Sequence, residues 1–71
     1  MNVEGTIERV DFGPGSWALK ADSGETFELK NAPDRLQQAG LRVRVEGRVR
    51  DDVMTFAAIG PVLEVANFEA I

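Results

Sequence analysis

Apolar and polar positions alternate from Leu41 to Arg50 with one glycine inside the pattern. Leu41, Val43, Val45, Gly47 and Val49 share one phase, and Arg42, Arg44, Glu46, Arg48 and Arg50 the other. A period of two sustained this long, with three valines, predicts a half-buried antiparallel strand. Asp51-Asp52 is a polar break, so Val53–Ile59 is expected to fold back as a hairpin. With the two aspartates as the loop, Val49 would face Met54, Gly47 would face Phe56 and Val45 would face Ala58. That register places a large ring opposite the residue without a side chain.

The same pattern marks the other elements. Val3 to Val10 reads as a first strand, with Val3 and Ile7 inward and Glu4, Thr6 and Glu8 outward. Gly5 within it signals a bend or a close backbone approach. Val10 and Phe12 fall out of phase with Val3 and Ile7, which a bulge near Glu8-Arg9 would correct. Asp11–Ser16 is a turn by composition. Trp17–Ala21 and Thr26–Lys30 read as two short strands, with Trp17, Leu19, Ala21, Phe27 and Leu29 inward and Gly24 in the turn between them. Asn31–Gly40 is the one helical segment, with Pro33 in its first turn and Gly40 as its stop. Its apolar residues are Leu36 and Ala39, so it is expected to cover an open end of the sheet. Gly60-Pro61 interrupts the ladder. Val62–Ile71 fits a bulged strand and also fits a short helix; its β-branched residues favour the strand.

Seventy-one residues without cysteine allow one domain, residues 1–71, with a small core and no disulfide. Closing the sheet into a barrel is one way to use so little apolar material. Three strands in a meander, a short helix and then two more strands is the order of an all-β, five-stranded Greek-key barrel of the oligonucleotide/oligosaccharide-binding (OB) type. The alternative is an SH3-like barrel, which usually carries its helical turn later, before the last strand. Gly5-Thr-Ile7, Ser23-Gly24 and Val43-Arg-Val-Glu-Gly-Arg-Val49 resemble small bacterial OB-fold proteins of the stress-induced periplasmic type, and other short uncharacterised bacterial OB domains. The resemblance covers most of the chain and implies the fold, and through it a ligand class. Residues 1–20 carry Glu4, Glu8, Arg9 and Asp11 and hold no signal-peptide apolar stretch, so a cytoplasmic location is expected. No apolar run is long enough to span a bilayer as a helix.

Eight basic and twelve acidic groups give a net charge of −4. All the basic groups lie at or before Arg50, and everything charged after it is acidic. Nucleic-acid binders show the opposite bias, because their affinity comes from neutralised phosphates. The chain has no His, Cys or Tyr, and neither Ser16 nor Ser23 has a neighbouring base. No enzyme, cofactor or metal site is expected; Asp51-Asp52 reads as a solvated turn. The strongest surface signal is the stripe Arg42, Arg44, Arg48 and Arg50. It reads either as a strand face paired with Glu4 and Glu8 on the first strand, or as a contact for an acidic protein partner or for self-association. The expected function is that of a non-catalytic protein-interaction or structural module. The alternative is binding of single-stranded nucleic acid or oligosaccharide through the OB face, where Trp17, Lys20 and Lys30 would be the ligand-binding residues.

Overall fold

In the computed structural model, which describes residues 1–10, 16–52 and 59–71, the alternating runs close into one barrel. Its strands are β1 (Asn2–Val10), β2 (Ser16–Ala21), β3 (Thr26–Lys30), β4 (Arg42–Arg50) and β5 (Val62–Ala70). Their order around the barrel is β1-β2-β3-β5-β4. Neighbours are antiparallel except β3 and β5, which run parallel over Glu28–Lys30 and Val62–Glu64. This closed five-stranded barrel fits the OB-type order of elements, and the one helical turn among the described residues lies between β3 and β4.

The inward phase of every strand meets in one core. Val3 and Ile7 come from β1, Leu19 and Ala21 from β2, Phe27 from β3, Val43 and Val45 from β4, and Leu63 and Val65 from β5. Trp17, Leu29, Leu41 and Phe68 pack around it. Two glycines on that phase let the sheet bend. A Cβ on Gly5 would strike the Lys20 carbonyl oxygen, and one on Gly47 the Glu64 carbonyl oxygen. Both strands therefore cross their neighbours too closely for any side chain. The β2–β3 turn is tied by Gly24 N–H to Ala21 O (2.9 Å) and Ala21 N–H to Glu25 O (2.8 Å), with Gly24 at φ 102°.

Several expectations change here. The helix over Asn31–Gly40 is a single 3₁₀ turn, Asp34–Leu36. Asn31 turns the chain with a φ of 59°, and Gln37 at ψ 66° leaves helical space. With so narrow an apolar stripe there is little to hold a longer helix. The amide groups of Gln37 and Gln38 bond the Ala32 and Arg35 carbonyls instead. Leu36 is fully buried, so the segment still plugs the barrel end. No bulge occurs in β1 near Glu8-Arg9: its register with β2 is unbroken from Gly5↔Ala21 to Val10↔Ser16. Val10 consequently stays on the outward phase, half-buried.

The expected hairpin partner of β4 also changes. Val45 lies between Val3 on β1 and Phe68 on β5, so both its edges are taken. Gly47 faces Val65 and Val49 faces Leu63; the run 53–58 lies outside the described residues. The expected bulge in the last strand is present, as a register shift that leaves Ala66 unopposed between Glu46↔Asn67 and Gly47↔Val65.

Candidate functional site: the arginine face of β4

The bulge decides what the outer face of β4 meets. Glu64 and Glu69 are an odd number of residues apart and would point to opposite faces of a regular strand. The extra residue, Ala66, brings both to the outside, opposite Arg48 and Arg44. On its other edge β4 meets β1, with Glu4 opposite Arg44 and Thr6 opposite Arg42. Five carboxylates thereby surround four arginines.

Arg42 grips Asp22 at the start of the β2–β3 turn through two hydrogen bonds (2.7 and 2.9 Å) and donates a third to Thr6 Oγ1 (3.2 Å). Arg44 spans β4, donating to Glu4 Oε2 from two nitrogens (2.9 and 2.7 Å) and to Glu69 Oε1 from another (2.7 Å). Arg50 holds Asp52 with two bonds of 2.9 Å and Glu64 with one of 3.0 Å. Arg48 is the loosest, 3.5 Å from Glu64 with its side chain 73% exposed. Paired forks of this kind match the planar guanidinium to the carboxylate and favour the charged form of both.

The titrations follow the geometry. Hydrogen bonds from Arg42 hold the Asp22 carboxyl below its ordinary range. Asp52 is lowered to about 2, first by Arg50 and then by a backbone hydrogen bond. Glu64 is lowered by Arg50 against a smaller desolvation cost, with help from the charges of Arg48 and Lys30. The three arginines that form close bonds, Arg42, Arg44 and Arg50, are all raised by their carboxylates.

The predicted partner Glu4 is present, but Glu8 is not part of the ladder. β1 runs beside β4 only from Asn2 to Thr6, and Glu8 lies opposite Ala18 of β2. Asp22, Asp52, Glu64 and Glu69 were not legible as partners while 53–59 was expected beside β4. The signal for two of them was the pair of glutamates in the last strand, once a bulge is placed between them.

Trp17, Lys20 and Lys30 do not converge. Trp17 is on the inward phase, packs against the core, and carries the Arg9 guanidinium 5.9 Å from its ring centroid. Lys20 points outward between Thr6 and Thr26, and Lys30 stands opposite Glu64. Ala18, on the outward phase of β2, is wholly buried between Glu8 and Glu28 in the register. No three acidic residues gather as a metal-binding group among the described residues, and no helix is long and apolar enough to cross a membrane. No curated protein and no solved structure matches the chain. A family model does match, over residues 4–67, which take in β2, β3 and β4 whole and most of β1 and β5: the chain belongs to the family described as Protein of unknown function (DUF5818).

Proposed function

We propose that the barrel is a non-catalytic module that acts through protein contacts and not through phosphate or sugar recognition. The observation that carries this reading is the arginine ladder. Each of Arg42, Arg44, Arg48 and Arg50 has a carboxylate of the same chain within 3.5 Å. A phosphate would have to displace that carboxylate first, and single-strand binding needs a positive groove with stacking rings. The one Trp has its ring against the core, and the outward phase of β2 and β3 mixes Lys20, Glu28 and Lys30. The absence of His, Cys and Tyr supports a non-catalytic role.

Titration of mixed-sequence single-stranded DNA and RNA and of a neutral oligosaccharide, followed by amide chemical shifts, tests this. No saturable binding is expected at about 0.15 M salt. Micromolar affinity with steep salt dependence, mapping to Trp17 and Lys20, would refute it.

A further inference from the structure

β5 is paired unequally along its two edges. Towards β4 it is paired along its length, from Arg50↔Val62 to Val43↔Ala70, apart from the bulge at Ala66. Towards β3 the pairing ends at Lys30↔Glu64. Among the described residues no strand pairs with that edge of β5 beyond Glu64. The direction of its peptide groups follows from the ladder. Ile71 N–H donates to Arg42 O at 3.0 Å, and successive residues of a strand turn their peptide groups to alternate sides. Glu69 therefore faces β4, while the N–H and C=O of Phe68 and Ala70 face the open edge.

That edge borders a groove. It is lined by Arg35, Leu41, Asn67, Phe68, Glu69 and Ala70. Glu69 is already held by Arg44. Arg35 is the charged lining residue without an ion-pair partner among the described residues. A second copy would bring β4 along with its own β5, so it suits the groove less well.

We propose that the open edge of β5 takes up an extended segment of a partner protein as an added strand, with apolar residues alternating with acidic ones. Main-chain bonds to Phe68 and Ala70 supply the pairing, the apolar side chains rest on Leu41 and Phe68, and a carboxylate meets Arg35. This rests on the protein-contact reading above and names its partner chemistry.

The probe is a synthetic peptide alternating Val with Glu, compared with one alternating Val with Lys, each titrated into ¹⁵N-labelled full-length protein. The Glu peptide is expected to move the Phe68 and Ala70 amides and Arg35, and to bind at least about fivefold more tightly than the Lys peptide. Arg35→Glu should reverse that preference. Ala70→Pro removes an edge N–H while sparing the bonds to β4, so it should abolish binding of both peptides with the barrel's spectrum otherwise retained. Should Ala70→Pro fail to fold, the Arg35→Glu reversal decides alone. Equal binding of the two peptides, shifts confined to another face, or no shifts up to millimolar peptide would overturn the proposal. So would concentration-dependent changes at Phe68 and Ala70 without peptide, which would make a second copy the occupant. If both peptide and nucleic acid fail to bind, only the strand-addition proposal falls. Nucleic-acid binding would remove the protein-contact reading beneath it.

Discussion

β4 and β5 are of equal length and lie side by side, yet they are held in different ways. β4 has β5 along one edge and β1 along the other from Arg42 to Glu46, and its outer side chains are tied to both neighbours by Arg44. β5 has a full neighbour only on its β4 edge, and the second half of its other edge ends in a groove. The difference shows how a chain this short divides its means. Backbone pairing and ion pairs are concentrated on β4, and the lower half of β5 is held by β4 and by core packing around Phe68 and Leu36. The edge left over is where a partner strand has something to bond.

Removing packing at that end should have the largest effect. Leu36 is the fully buried residue of the turn that closes the barrel end. Leu36→Ala is expected to cost about 2–5 kcal/mol in chemical denaturation. That is a large share of what a domain of this size possesses. Amide exchange should quicken in the second half of β5 before it does in β4. Uniform acceleration across both strands would mean that the two are not held differently.

Gly47→Val attacks the pairing the two strands share. Its Cβ would collide with the Glu64 carbonyl oxygen, a backbone atom with little freedom to move. A loss of about 1–3 kcal/mol is expected in the same denaturation assay. A variant as stable as the parent would show that β4 and β5 do not cross this closely.

Acid should act on the exterior of the comparison. Asp22, Asp52 and Glu64 have folded-state carboxyls below their ordinary values of 3.8, 3.8 and 4.5, with Asp52 near 2. The unfolded chain takes up these protons first, so the stabilisation is present above those ordinary values and is lost as pH falls towards 2. Stability measured from pH 6 to pH 2 should decline across that window, and Arg50→Gln should flatten the part of the curve owed to Asp52 and Glu64. A profile unchanged by Arg50→Gln would detach the titration from the ladder.

The strands were legible because alternation is a local property: β1 to β4 can be read from residues two apart, and Gly5 and Gly24 announce a close approach and a turn. The partner of β4 was not. Val53–Ile59 and Val62–Ala70 both present a suitable apolar phase, and only the closed barrel shows that Val45 lies between Val3 and Phe68. Glu64 and Glu69 beside the arginines depend on that choice and on the bulge at Ala66, so they were hidden together. The turn at Asp34–Leu36 carried genuine helix signals in Pro33 and Gly40. They were outweighed because two apolar residues give a helix little to pack with. The open edge of β5 is invisible in sequence, since it depends on where β3 stops.

The smallest expected effect is the one that separates ladder from decoration on β4. Arg44 joins β1 to β5 across β4 through Glu4 and Glu69, while Arg48 stands mostly in solvent with a longer contact. Exposed pairs are weakened by solvent and salt, so neither is expected to rival Leu36 or Gly47. Geometry nevertheless ranks them: two nitrogens on one carboxylate and a third on another hold Arg44 in one orientation, and no such fork holds Arg48. Arg44→Gln should lower the unfolding midpoint slightly, and Arg48→Gln should leave it unchanged. In double-mutant cycles Arg44 should couple to Glu4 and, separately, to Glu69, and both couplings should fade as salt is raised. Coupling to Glu4 alone would mean that the bridge to β5 is not made in solution, so that β5 is held on its β4 edge by backbone bonds and packing only. The contrast between the two strands would then be sharper than the geometry of Arg44 implies.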